Sequence, residues 1–409
     1  MRALVLENSL PRLVATRVLS AFSRRAFVGP LAPMRLREIP APRLPADDWL
    51  VIATRLAGIC GSDARQVFLK GGVDDPITAR ISFPQVLGHE VVGVVDAVGP
   101  AVRRRRAGDR VVLNPWLSCE PRGLPLCKWC AHGDQAECLN FTRGRIAAGT
   151  HHGNSSDATG GFAARVPAHE SQCIAIPDAV SDEAAVLADP FSVSLHAILA
   201  SPPPEEGVAL VYGCGTPGLL AVVILRELYP GVRVLAVARY AHQRRLAERL
   251  GAQRVLAHRP TRALVEAVGV EVGAGLHVPW RGLPMLNGGV DVVYDTVTSP
   301  ETLEVGVRVT RSRGTISALG VDPPRRFEWT PLTFKELRLV GSNGFGVEEW
   351  EGRRQHAMEW YLEWVAQSRV DATPILTHRF ALSQWREAFL ACHDQGASGA
   401  VKVLFDRFE

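Results

Sequence analysis

Residues 208–228 read VALVYGCGTPGLLAVVILREL. Val208 to Tyr212 is a short β-branched, apolar run, and Pro217 to Leu228 is a longer apolar run with the length of a helix. Between them lies Gly213-Cys214-Gly215-Thr216-Pro217-Gly218, and a second strand-like run, Arg233 to Val237, follows the helix. A G-x-G-x-x-G pattern carries weight only in this strand–turn–helix–strand setting. There the glycines allow a tight turn and let backbone approach a pyrophosphate, whose charge the helix N-terminus favours. Gly213, Gly215 and Gly218 are therefore the expected dinucleotide cradle. At the tip of the second strand, where a carboxylate would accept from ribose hydroxyls, stand Ala238 and Arg239. A guanidinium without a carboxylate suits a 2′-phosphate, so NADP is favoured over NAD.

Outward from this stretch the pattern continues as helix His242 to Leu250, strand Asp291 to Tyr294, helix Ser299 to Thr310, strand Gly314 to Ala318 and a last strand, Leu337 to Gly341. Alternating βα units predict a doubly wound parallel sheet, an α/β Rossmann domain over residues 188–344. Residues 270–289, rich in Gly and Pro, read as a surface excursion. Residues 1–187 read instead as short strands with frequent Gly and Pro, an irregular β domain that residues 345–409 complete with helix Glu349 to Gln367, a strand near Thr377 to Phe380, helix Ser383 to Cys392 and strand Ala400 to Phe405. No internal repeat is present. A length of 409 residues with 47% hydrophobic and 22% charged residues fits two folded domains and excludes wholesale disorder.

The longest apolar stretch, Leu219 to Leu225, is far short of the roughly 20 residues that cross a bilayer, so no membrane partner is expected. Net charge is +4 with the basic residues scattered, so no nucleic acid is expected either; the dense run Arg103 to Arg106 reads as a solvated turn. Arginine outnumbers lysine 42 to 4, which weakens any argument from a single arginine. The opening MRALVLENS alternates like a strand and is no secretion signal; arginines between 12 and 25 imitate a transit peptide but follow that strand, so a cytoplasmic location is expected. Eight cysteines in such a chain point to metal or thiol chemistry rather than disulfides. Cys173, Cys214 and Cys392 read as buried thiols.

Gly58-Ile59-Cys60-Gly61-Ser62-Asp63 is followed by Gly88-His89-Glu90, Gly93, Gly99 and Gly108-Asp109-Arg110-Val111. Thiolate, imidazole and carboxylate are zinc ligands, and three from the protein leave one position for water or substrate. The pattern GHExxGx5Gx2V is matched at every fixed position from Gly88 to Val102, and on these residues the chain resembles the zinc-containing medium-chain alcohol and polyol dehydrogenases. The resemblance covers nearly the whole chain. It implies a GroES-like β-barrel catalytic domain, a catalytic zinc on Cys60 and His89, Ser62 at the head of the proton relay from the substrate hydroxyl, and Asp63 as the partner of the His89 ring. Arg65 stands where many relatives carry a relay histidine. The third zinc ligand is either Glu90 or Asp189, whose Asp189-Pro190 pair is like the polyol and threonine dehydrogenase branch. An Asp-Pro pair is also an ordinary helix start.

By the same resemblance Cys119, Cys127, Cys130 and Cys138, within a lobe at 114–140, hold a structural zinc, and the last three have the family's spacing. Cys119 is displaced by an insertion, Glu120 to Leu126, whose two prolines and glycine allow a looped-out bulge that returns the thiolate to the metal; the alternative is reduced free thiols in a degenerate lobe. Leu319, Gly320, Ser342 and Asn343 are expected near the nicotinamide, and a homodimer or homotetramer is implied. His151 and His152 fall in a polar Gly/Ser stretch and read as loop; His196, seven residues beyond Asp189, reads as packing. The expected function is zinc-dependent hydride transfer between a small-molecule alcohol (secondary alcohol, polyol or hydroxy amino acid) and NAD(P). The alternatives are a zinc-independent quinone or enone reductase and a non-catalytic nucleotide-binding relative.

Overall fold

The computed structural model describes residues 1–71, 75–320 and 326–408. These residues form two compact units: Met1–Asp189 with Arg354–Gln367 and Leu376–Glu409, and Pro190–Arg353 with Ser368–Ile375. Residues 345–353 and 368–375, expected with the β domain, group instead with the nucleotide-type unit.

In the second unit six parallel strands lie in the order Arg254–Ala257, Arg233–Ala238, Val208–Tyr212, Val290–Asp295, Thr310–Ala318 and Arg338–Gly341. Sequence order reverses between Val208–Tyr212 and Val290–Asp295, the point where open α/β sheets bind ligands. The strands read as near-continuous Val, Leu and Ala because helices cover both faces; Leu210, Leu235, Val293 and Ile316 are fully buried in one core with helix residues Leu264 and Val305. The excursion at 270–289 is partly ordered structure. Helix Thr261–Val272 ends on Gly273 at φ 65°, and Gly275–His277 pairs with Met285–Asn287 in a small hairpin.

The first unit centres on strand Trp49–Gly58. One of its edges pairs with Glu90–Val98, while the other is shared by Arg165–His169 near its start and Lys402–Arg407 near its end. The C-terminal strands thus join a sheet built otherwise from residues 49–175. A second sheet, Met34–Glu38, Arg2–Leu6 and Gln85–Val86, packs beside it, with the MRALVL alternation forming its middle strand.

One expected helix is shorter than the sequence indicated. In place of Glu349 to Gln367, the chain makes a hairpin, Val347–Trp350 with Arg353–His356, and then helix Ala357–Ala366. Glu351 and Gly352 both take positive φ, 50° and 72°, the two-residue turn that joins twisted strands.

Candidate active site and zinc lobe

The first site grows from two turns. Cys60 precedes the short helix Gly61–Val67, and Asp63 in its first turn accepts from the Cys60 amide at 2.9 Å and from the Gly88 amide at 3.3 Å. One buried carboxylate therefore ties the Cys60 turn to the His89 turn. Its Oδ1 lies 3.7 Å from His89 Nδ1, so Asp63 acts chiefly through backbone. Gly88 has φ 93°, and a Cβ there would meet the Phe162 ring at 2.5 Å; only glycine lets the His89 turn close.

Donor atoms of Cys60, His89 and Glu90 all lie within 4.8 Å of one another. Asp189, at the start of helix Ala188–Ala200, is buried, and its Oδ2 has no hydrogen-bond partner among the described residues. Burial pushes the Asp189 carboxyl up to about 7, with His89 opposing and Glu90 reinforcing that rise. His89 moves the other way from what burial dictates: the charges of Asp63, Cys60 and Asp189 raise it well above its usual value. Three carboxylates and a thiol around one imidazole and one lysine make an enclosure whose chemistry calls for a further cation. A zinc ion fits this donor set.

That lysine is Lys402, paired with Glu90 Oε2 and bonded to the Ile59 carbonyl at 3.2 Å. Gly58 sits between Glu90 and Leu404 in the sheet, and a Cβ on it would lie 1.9 Å from Glu90 Oε2 and 3.0 Å from Lys402 Cε. The missing side chain is what lets the pair pass over the backbone. Sequence reasoning did not find Lys402, although scarcity was a signal: it is one of four lysines in a chain whose default cation is arginine.

His151 and His152 are not a free polar loop. His152 is fully buried, bonded to Gln172 and to the Thr159 carbonyl. His151 forms a bridge with Trp116, and its ring lies 4.6 Å from the His89 ring. Burial, then the neighbouring His89, pushes His151 down to about 3. Arg65 reaches toward Asp75 at 3.7 Å. His196 meets Glu348 at 2.7 Å.

The four lobe cysteines also converge, with donor atoms within 4.8 Å of one another. The insertion after Cys119 does loop out: the Cys119 carbonyl accepts from Leu124 and the Cys127 amide returns to Cys119 Sγ at 3.3 Å. Amides of Cys127 and Asn140 and the Asn140 side chain point at sulfur, an arrangement that suits thiolates. Although burial opposes it, hydrogen bonds from Leu139 and Cys130 lower Cys127 to about 6. Arg122, inside the insertion, is 1% exposed and donates to the carbonyls of Leu117, Arg143, Ile146, Ala147 and Gly149. It knits the lobe together.

In the second unit Gly213 takes φ 97°, and a Cβ there would collide with Thr296 and Val297 at 2.7 Å. A Cβ on Gly218 would lie 1.8 Å from the Gly213 carbonyl, whereas Gly215 has nothing within 4 Å. The turn is closed behind and open in front, as a pyrophosphate cradle requires. Arg239 follows strand Arg233–Ala238, exposed, with its guanidinium 5.6 Å from the Tyr240 ring centre. Gly320 follows strand Thr310–Ala318 and packs against Val297, its amide bonded to Thr298 at 2.8 Å; Leu319 bonds to Asp295. Ser342 and Asn343 follow strand Arg338–Gly341.

An irregular β domain with an anionic Cys/His/Glu centre, a four-cysteine lobe and a doubly wound nucleotide-type unit define an alcohol-dehydrogenase-like oxidoreductase. Residues 46–178 match the alcohol dehydrogenase GroES-like domain and residues 218–363 the zinc-binding dehydrogenase domain. L-threonine 3-dehydrogenase of Serratia proteamaculans is 28% identical over 374 residues, 91% of this chain and 96% of that protein. (R,R)-butanediol dehydrogenase of Saccharomyces cerevisiae is 27% identical over 333 residues, 77% of this chain and 81% of that one. A zinc-binding dehydrogenase from Sinorhizobium meliloti bound to NADP superposes with a TM-score of 0.70 at 27% identity, covering 91% of this chain and 95% of the other. The chain belongs to the zinc-containing medium-chain alcohol and polyol dehydrogenases, and it transfers hydride between an alcohol and NAD(P).

Proposed function

We propose that Cys60, His89 and Glu90 hold the catalytic zinc of a dehydrogenase for polyols or hydroxy amino acids. The convergence of those three donors within 4.8 Å carries the reading. Lys402 engages Glu90 Oε2, and Asp189 adds a second buried carboxylate beside it. Zinc held there is a Lewis acid that lowers the proton affinity of the alcohol oxygen. Ser62, in the first turn after Cys60, passes that proton outward. Asp63 keeps the Cys60 and His89 turns in register. Gly213, Gly215 and Gly218 seat the coenzyme pyrophosphate, and Leu319, Gly320, Ser342 and Asn343 border its nicotinamide end.

Cys119, Cys127, Cys130 and Cys138 form the closed structural zinc site, supported by their convergence and the amides aimed at sulfur. NADP is preferred over NAD, a reading supported by an exposed Arg239 just after the second strand with Ala238, not a carboxylate, before it. The butanediol and threonine dehydrogenases named above support the substrate class. The enzyme works in the cytoplasm as a homodimer or homotetramer. Coenzyme-linked oxidation of polyols and hydroxy amino acids by zinc-replete protein tests this reading. Cys60→Ala and His89→Ala should abolish turnover and leave coenzyme binding near normal; turnover in either variant would sink the assignment.

A further inference from the structure

The wall of the centre beside His89 is formed by a residue with no role in holding metal or coenzyme. His151 is fixed on every side but one. Its amide donates to Asn154 Oδ1 at 3.1 Å, its backbone bridges to Trp116, and its Nδ1 lies 2.7 Å from the His152 carbonyl. The next residue is itself anchored by Gln172 and Thr159. The ring is packed between the His89 ring at 4.6 Å and the Trp116 ring at 6.2 Å.

A carbonyl oxygen only accepts, so Nδ1 carries the ring proton and Nε2 presents a lone pair. No hydrogen bond occupies Nε2 among the described residues, and it is not one of the fully buried polar atoms that lack a partner, so it keeps some access to the space beside the ring. An acceptor held rigidly at one ring's distance from a metal-centre imidazole has a defined use. It can take a hydrogen bond from a donor one carbon away from the atom that reacts.

Resting on the dehydrogenase reading above, we propose that His151 Nε2 is a substrate-positioning acceptor that selects alcohols bearing a hydroxyl or ammonium group on the carbon next to the carbinol. The surrounding wall is apolar on the Trp116 side and offers a plain alkyl alcohol contact but no orientation. A vicinal diol or a β-hydroxy amino acid gains a second anchor, which fixes the carbinol hydrogen's direction as well as the oxygen's place. A rigid acceptor that substrate cuts off from water also penalises a substrate that leaves it unpaired.

The test is steady-state kinetics of zinc-replete wild type, His151→Leu and His151→Gln with 2,3-butanediol, L-threonine and 2-butanol, alongside zinc content and coenzyme affinity. Wild type should favour butanediol or threonine over 2-butanol, and the arm that wins identifies hydroxyl or ammonium as the donor. His151→Leu should lower kcat/KM for that substrate by about 10- to 100-fold, mostly through KM, and leave 2-butanol within about threefold. His151→Gln, which restores an acceptor oxygen, should recover part of the loss. Equal losses on all three substrates, no loss on any, or zinc content below wild type in His151→Leu would each overturn the proposal. A wild type that oxidises 2-butanol as well as the other two overturns it alone. A wild type inactive on all three with both coenzymes removes the polyol and hydroxy amino acid reading with it.

Discussion

Replacing Lys402 with methionine keeps the length and apolar stem of the side chain and removes its charge. In the folded protein Glu90 then loses its ammonium partner and keeps only the His89 imidazole nearby, in a place where the two side chains of the pair are 2% and 1% exposed. Deleting one member of a buried pair costs about 3–5 kcal/mol, because the remaining charge is neither solvated nor paired. The Ile59 carbonyl loses its Nζ donor as part of the same change. At about 2–4 °C per kcal/mol for a unit of this size, the transition of the first unit should fall by roughly 6–20 °C. Calorimetry and denaturant titration, each with zinc and after chelation, should show the loss in both states; two units need not melt together, so the transitions have to be resolved. Adding Glu90→Gln should recover most of it, since the uncompensated charge is gone. The sign with pH follows from the raised value of Lys402, where burial lowers and the Glu90 charge more than offsets it. The pair's contribution is complete below the ordinary lysine value of 10.5 and is lost only as pH rises through the higher folded value, so it is undiminished across the neutral range. A loss under about 1 kcal/mol, or a double variant no more stable than Lys402→Met, would refute the reasoning.

Gly58→Ala should disturb the same pair from the backbone side, because its Cβ would lie 1.9 Å from Glu90 Oε2; lower zinc content and a lower melting temperature are expected, and a wild-type pair of values would contradict the packing argument. Elemental analysis should find two zinc ions per chain, with Cys127→Ser losing the lobe ion and retaining the one at Cys60; loss of all metal, or no loss, would break the assignment of two independent sites. Ser62→Ala should cost about 10²-fold or more in kcat, and wild-type turnover there would exclude the relay. Arg239→Ala removes a charge-assisted contact of about 1.5–3 kcal/mol, so NADPH binding should weaken roughly 10- to 100-fold with NADH barely changed; equal loss of both coenzymes, or a wild type that prefers NADH, would defeat the NADP assignment.

What the sequence determined by itself was local and periodic. VALVYGCGTPGLLAVVILREL specifies strand, tight turn and helix within one continuous stretch, and the glycines are needed for backbone reasons that any reader of the string can state. The Cys60, Ser62 and Asp63 turn, the Gly88-His89-Glu90 turn and the last three lobe cysteines carry their chemistry in residue type and short spacing. The tertiary structure decided what depends on pairing between distant segments. Lys402 reaches Glu90 because the last strand joins Trp49–Gly58 on the edge opposite Glu90–Val98, and only Gly58 leaves room between them. His151 looks like loop because its neighbours are Gly, Ser and Thr; a backbone bridge to Trp116, not any pattern of its own, brings it against His89. The hairpin at 347–356 was hidden for a related reason, since two positive-φ residues reverse the chain inside what otherwise reads as helix. Periodicity reports which face of one element is buried, whereas a buried charge pair or a positioned imidazole is a property of two or three elements that meet only after the chain has folded.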